Sequence, residues 1–494
     1  MLMKNKLFLW LIAVVCILAS CSKDDGIDPV SDSSDALLKG KPVHGPVIVL
    51  PPSGGDDTDA LLDAVNTAAP GTTIQLTEGE YHTRYFEIHG FDGCIKGAGR
   101  NKTFITPYGL IEVMPQYNDW NLMPCWWRIL GGNVTISDLA FRTGDGTLMA
   151  DVDYYYNNTL ICLISVNNFS LNYQYDDPQP MTFNFVNVDV LGGFLGPDEV
   201  GYIGLPHNVL MALWFGMDIW VPTEPVPLSM GTCKVSNCFF DDVGQSFEAL
   251  GCGDQATLIL DRNRVSNAAW GAFYTGNYGS KIWITNNTFS GSMIYDLLIS
   301  DWEWGILGAV PLPAKRSEYY VTGNTFNVSN MISSLILKDE RGVAVPEFYF
   351  PTLALVKSNT FNLCEGSTGI SCLNSLDAQV RNNRLTGSAA YGVYVDGTMV
   401  YDIWTGSELG IGESKNTLIL GNNFSGLTTS ESDIYLSPLS SNCTVVGNGK
   451  DDVIDLGTNN KIVGMKMVPG GNHAGPTIRD NFRMMPRPGY HPHH

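Results

Sequence analysis

The sequence predicts an all-β protein: a right-handed single-stranded parallel β-helix, a solenoid with an N-terminal capping helix and long loops flanking one sheet. Three observations carry that expectation. First, between residues 237 and 424 an apolar strand ends seven times in Asn, one variable residue and a large apolar residue: VSNCF, DRNRV, TNNTF, TGNTF, KSNTF, RNNRL and GNNF. The asparagines are Asn237, Asn263, Asn287, Asn324, Asn359, Asn383 and Asn422; the closest lie 24 to 26 residues apart, and whole loops lengthen the other intervals. A fixed corner with elastic loops is a solenoid's signature. Second, each Asn sits between short β-branched runs that read as strands. Its amide has two donors and an acceptor with two lone pairs, so copies stacked at the ~4.8 Å strand spacing can hydrogen-bond along the axis. Third, only 16% of residues are charged whereas Gly, Asn and Thr abound, which suits a parallel sheet with tight corners and buried strand faces.

The elements follow in order. Residues 1–20 read as a leader, with Lys4 and Lys6 ahead of LFLWLIAVVCIL, an apolar run well short of the ~20 residues a membrane span needs. LASC, ending at Cys21, resembles the lipobox of bacterial lipoproteins, and SKDD after it resembles the export signal of surface lipoproteins in glycan-degrading Gram-negative bacteria. The resemblance implies a diacylated Cys21, an outer-membrane anchor and exposure at the cell surface; the alternative is an ordinary signal peptide with a chance Cys. Residues 21–45 read as an acidic flexible tether.

Loss of the two leader lysines takes the formal charge from −21 to −23, so nucleic acid is excluded as a partner. A polyanionic glycan is also disfavoured unless Ca²⁺ or a local basic cluster intervenes. Of the 11 cysteines, Cys16 lies in the leader and Cys21 at its end, which leaves nine without CxxC or Cys/His metal spacing. Buried thiols, with one pair at most, are expected.

Residues 46–468 read as a single β-helix domain. DDTDALLDAVNTAA, within residues 56–70, places Leu61, Leu62 and Val65 on one helical face, with Pro70 and Gly71 as the stop. Such a helix caps the exposed strand edges of a first coil. TTIQLTEGEYHT and CIKGAGRNKTFITP follow. Together, residues 56–107 resemble the opening of the pectate-lyase-like β-helices of the pectin lyase superfamily, which implies the fold and a polysaccharide lying along one sheet. The activity does not carry over by motif. Pectin-hydrolysing relatives have NTD, DD, GHG and RIK, of which only a DD occurs, at Asp241 and Asp242, and the pectate-lyase Arg signature is missing.

Each coil runs strand, Asn corner, short strand, loop, third strand, loop. Aligned as FEAL, FYTG, LLIS, LILK, ISCL, VYVD and IYLS, the third strands put Glu248, Tyr274 and Tyr394 in one outward column. Lys338 and Asp396 fall in the next, and Asp301 and Asp339 at the strand ends in a third. The loops after these strands are the long ones, and they hold Trp302, Trp304 and Arg341. Aromatic rings suit stacking on sugar C–H faces, although such rings can equally bury themselves under a folded-over loop.

Asp301 and Asp339, ~4.8 Å apart at the backbone, can share a proton or bind a cation, Ca²⁺ being the candidate. Strand-end Asp residues also commonly cap turns. Lys338, near Arg341, Lys315 and Arg316, is a candidate base for removing the proton α to a uronate carboxylate. Glu248, Tyr274, Trp302, Trp304, Arg341, Tyr394 and Asp396 are candidate substrate-binding groups, and His207 a candidate base. The expectation is a cell-surface polysaccharide lyase acting on a uronic-acid glycan. The alternatives are a glycoside hydrolase using Asp301 and Asp339, and a noncatalytic glycan-binding or adhesive solenoid. Residues 469–494 read as a tail.

Overall fold

The computed structural model describes residues 45–111, 125–149, 159–167, 180–196, 205–216, 230–250, 252, 255–275, 279–301, 317–328, 333–339, 353–401, 408–449, 452–464 and 466–467. All of these but Gly45 belong to the unit Pro46–His494. Cys21, the tether, the tail and the long loops lie outside the described residues.

The chain is a parallel β-solenoid. The first strands of successive coils form a fourteen-stranded sheet from Val47–Leu50 to Lys461–Val463, and every pairing within it is parallel. The strands after the corner form a short-strand ladder through Phe239–Asp241, Arg264–Ser266, Thr288–Ser290, Thr325–Asn327 and Thr360–Leu363. A third ladder runs from Phe86–His89 through Gln245–Leu250, Tyr295–Asp301 and Ser333–Asp339 to Lys466–Met467. Two long strands, Arg384–Asp396 and Asn423–Leu436, pass straight through both the short and the third ladders and join them.

At the N-terminal end the helix α1, Thr58–Thr67, buries Leu61, Ala64 and Val65. Its first N–H is met by the Asp56 carboxylate at 3.0 Å, and Asp57 instead ties Ser53 N–H (2.8 Å) and His82 N–H (3.0 Å) to the cap.

The corner is built from two adjacent columns. The first holds the residue that turns the chain, with positive φ at Asp138, Asn187, Asn237, Arg262, Asn286, Ser358 and Asn382 and at Gly323 and Gly421. Left-handed backbone favours Gly and Asn because a Cβ there crowds the following carbonyl. The second column is the amide ladder: Asn263, Asn287, Asn324, Asn359, Asn383, Asn422 and Asn448, all buried. Each Nδ2 from Asn263 to Asn422 donates to the Oδ1 of the next rung at 2.9–3.1 Å, and that Oδ1 also accepts the rung's backbone N–H. The second Nδ2 hydrogen goes to a first-strand carbonyl of the preceding coil, as from Asn324 to Ile284 O at 2.8 Å. From Asn287 to Asn422 each buried amide therefore uses both donors and both acceptor lone pairs.

Asn237 does not stand in this ladder, which corrects the alignment of seven. Cys238 occupies the rung and donates its N–H to Asn263 Oδ1 at 3.0 Å, while Asn237 turns the chain and donates to Asn187 Oδ1 at 3.1 Å. The strand register shows why: Phe240, not Phe239, pairs with Val265. Phe239 is left outside, where the Arg264 guanidinium lies 4.8 Å from its ring centre. One residue past each following rung's neighbour, Phe289, Phe326 and Phe361 stack inside the coil at 5.1 and 4.6 Å, nearly coplanar, so corner and core repeat together.

Candidate functional site

The third ladder carries the chemistry-bearing side chains. Its strands CWWRIL, LICLISVN and VLMALWFG are buried at every position, so both faces of this sheet are covered. The inward residues, such as Phe247, Ala249, Leu297 and Leu335, join the solenoid core. The outward ones form a second apolar layer that includes Trp214, Trp270, Tyr295, Leu298, Ile336, Leu373, Tyr391, Tyr394 and Tyr435.

Ladder pairing fixes one outward column as Glu87, Arg128, Ser165, Trp214, Glu248, Phe273, Leu298, Ile336, Ser371, Tyr394 and Tyr435. Glu248 and Tyr394 stand in it as expected from alternation. Tyr274 does not: it pairs with Ala249 and Ile299, two core residues, and Phe273 takes the outward register. The strand starts at Trp270, so the period-two alternation runs one residue out of step with the FYTG alignment.

The neighbouring column, two residues on, holds Leu250, Thr275, Ser300, Lys338, Leu373 and Asp396. Thr275 takes the register expected for Gly276. Asp301 pairs directly with Asp339, and Ser300 with Lys338. One cation and two carboxylate residues thus sit on consecutive coils in adjacent rows. Trp302, Trp304 and Arg341 lie outside the described residues.

Glu248 is 7% exposed and accepts a short hydrogen bond from Gln245 Nε2. Burial in the apolar layer pushes its carboxyl up to about 8 despite that bond. Tyr295, buried nearby, is raised well above the ordinary phenol by burial and by the Glu248 charge. Asp296 is buried too, and burial lifts it to about 6 against a 2.9 Å hydrogen bond from the Ser334 hydroxyl. A carboxyl held protonated at neutral pH, as Glu248 is, can donate a proton. Farther along, Tyr394 donates to Asp396 Oδ2 at 2.6 Å, and the rings of Tyr391, Tyr394 and Tyr435 lie 5.1–5.4 Å apart. Both Tyr394 and Asp396 are buried.

A polar cluster that sequence reasoning missed stands at the N-terminal end of the same column. Glu87 accepts from Tyr85 Oη in a short bond and lies 2.6 Å from His89 Nε2. Burial opposes its charge, but the bonds to His89 and Tyr85 and the charges of His89 and Arg128 bring the carboxyl down to about 2. The alternation Tyr85, Glu87, His89 is visible in YFEIH, but Arg128, embedded in CWWRIL, has no polar neighbour to flag it. His207, the other candidate base, is buried: its Nε2 meets Asn267 O at 3.1 Å, its ring lies 5.3 Å from that of Phe194, and burial lowers its basicity.

Among the described residues, no three His, Cys, Asp or Glu side chains gather where they could hold a metal ion. The described cysteines are thiols, most of them buried, with no disulfide between them.

Fold and outer sheet together define a parallel β-helix with titratable groups embedded along one face. The chain is similar to the mannuronan C-5 epimerase A-module of Azotobacter vinelandii, with 14% identity, TM-score 0.46, and coverage of 85% of this chain and 95% of that one. It is also similar to a mannuronic-acid-specific polysaccharide family 6 lyase from the human gut microbiota, with 14% identity, TM-score 0.43, and coverage of 85% and 82%. A third likeness is to the catalytic unit of an α-1,3-glucanase from Streptomyces thermodiastaticus, with 13% identity, TM-score 0.41, and coverage of 87% and 70%. No protein-family model matches the chain, and no characterised protein matches it in sequence.

Proposed function

We propose that the protein binds and cleaves a uronic-acid-containing polysaccharide along the outer face of the third ladder, by β-elimination. The observation that carries this reading is the pairing of Asp301 with Asp339 and of Ser300 with Lys338, which gathers a base and two acids on neighbouring rungs. In the reaction Lys338, as the free amine, takes the proton α to the uronate carboxylate. The electron pair forms the ring double bond as the glycosidic C–O bond breaks, and the departing oxygen takes a proton from water, to which the Lys338 ammonium later returns its own. Asp301 and Asp339 offer two carboxylate donors to a Ca²⁺ ion, which when bound would neutralise the uronate and acidify its α C–H.

One observation favours hydrolysis as a second reading. Glu248 keeps its proton to about 8 and could act as a general acid.

A panel of uronic-acid glycans, with and without EDTA, separates the two. Elimination gives the ultraviolet absorbance of an unsaturated uronate, and hydrolysis gives reducing ends without it. Binding without either leaves a noncatalytic glycan-binding solenoid. Lys338→Ala and Asp301→Asn should each lower turnover by roughly 10²-fold or more with the melting temperature unchanged; unaltered rates would remove this site.

The reading includes a lipid anchor at Cys21 that holds the protein at the outer cell surface. Cys21→Ser should move the chain from the membrane to the soluble fraction, and retention at the membrane would refute the anchor.

A further inference from the structure

The chain is strongly acidic, with a formal charge of −21, so cations without acidic partners stand out. On the first-strand sheet and its corner, Arg100 lies 3.1 Å from Asp189, Arg262 2.8 Å from Asp261, Lys96 3.9 Å from Asp138 and Lys281 3.9 Å from Glu318. Arg142 and Arg264 lie over phenylalanine rings. Lys234 and Lys461 stand singly on this sheet without an ion pair among the described residues, whereas Lys357, Arg381 and Arg384 are unpaired and adjacent. Lys357 and Arg381 are direct register partners on adjacent coils, and Arg384 is just around the corner, three residues on. Among the described residues none of the three has a carboxylate within ion-pair distance.

Like charges opposed across a ladder destabilise it, so this arrangement is unfavourable in the protein alone. Among the described residues Arg381 reaches only Gln379 Oε1, at 3.4 Å, and its buried Nε has no partner. The same sheet carries an apolar strip next to the cations. Trp283 and Tyr320 stack at 5.6 Å, with Leu355 paired to Tyr320 and two residues from Lys357, and all three are half-buried. Trp283, Tyr320, Leu355, Lys357 and Arg381 stand on the sheet bearing the first strands, and Arg384 on the adjoining short-strand ladder just past the corner.

We propose that Lys357, Arg381 and Arg384 form an anion-binding site for the carboxylate or sulfate groups of an extended glycan lying along this sheet, with Trp283, Tyr320 and Leu355 as its apolar floor. The site gives an acidic protein a local patch on which a polyanion can dock. It rests on the glycan reading for the kind of polymer, but not on the third ladder's chemistry. Guanidinium groups present several N–H donors to a carboxylate or sulfate, and among the described residues no carboxylate competes for those of Arg381 and Arg384.

The test is affinity electrophoresis of the folded chain in gels containing polygalacturonate, dextran sulfate or uncharged dextran, over a series of salt concentrations. Retardation should occur with the two charged polymers only, and should fade with salt. Arg384→Ala should weaken it about tenfold. The triple variant Lys357→Glu, Arg381→Glu, Arg384→Glu should abolish it, with circular dichroism showing that both variants fold.

Retardation must persist in Lys338→Ala with Asp301→Asn, which separates this site from the proposed centre of cleavage. The proposal is overturned if wild type is not retarded by either charged polymer, or if Arg384→Ala and the triple variant are retarded like wild type. It is also overturned if the three cations govern binding to anionic lipid vesicles but not to the polymers.

Discussion

Asn359→Ala should lower the free energy of unfolding by about 4 kcal/mol, and Asn359→Asp by more. The amide is buried, and its Oδ1 accepts both the backbone N–H of Asn324 (2.9 Å) and its Nδ2 (3.0 Å). Its own Nδ2 donates to Val321 O (2.9 Å) and Asn383 Oδ1 (3.0 Å). Alanine strands two donors and a carbonyl without water, each costing about 1–3 kcal/mol. Aspartate keeps the acceptor but turns a second oxygen towards two others, and buries a charge. Denaturant titration measures both variants. A loss below about 1 kcal/mol for Asn359→Ala would mean that the ladder is incidental to stability.

The second large effect is a stability that falls as pH rises across the neutral range. Glu248 has a folded-state value of about 8 against 4.5 for the free side chain, so between these the folded chain holds a proton that the unfolded chain releases. Its contribution is complete below the lower value and is lost progressively up to the upper one, with a ceiling of the order of 4 kcal/mol. Asp296, about 6 against 3.8, acts in the same direction over a more acid window. Glu248→Gln should flatten the slope between pH 5 and 8 and leave the protein more stable than wild type above pH 8. A wild-type stability that rises over that interval would show that Glu248 is ionised in the folded chain.

The corner was legible because an amide that must satisfy itself along the axis leaves an Asn in every coil. Even there Asn237 misled, since Cys238 fills the rung and the chain offers an Asn one position early. The rows of the third ladder were legible where each strand keeps its alternation, as at Glu248, Tyr394 and the pairing of Asp301 with Asp339. Tyr274 was misplaced because nothing in WGAFYTG marks where pairing begins, and a shift of one residue exchanges the two faces. The second apolar layer was harder still. A sheet covered on both sides loses the alternation that signals a solvated face, so CWWRIL and VLMALWFG conceal which residues point outward, Arg128 among them. Lys357, Arg381 and Arg384 were visible in the sequence, but their lack of a carboxylate partner among the described residues is a property of three dimensions.

The ladder also bears on how a protein like this can change length. From Asn263 to Asn422 every rung makes the same bonds to the rung after it, whether the intervening chain is 24 or 39 residues long. A rung therefore does not register which coil is its neighbour. If the coil between Asn324 and Asn359 were excised, Asn287 would meet an identical amide and an identical phenylalanine beneath it. Coils are in this sense interchangeable parts, open to duplication or loss as whole units by recombination. The extent of the outer sheet, and so the number of residues that can be ranged along it, is then set by copy number.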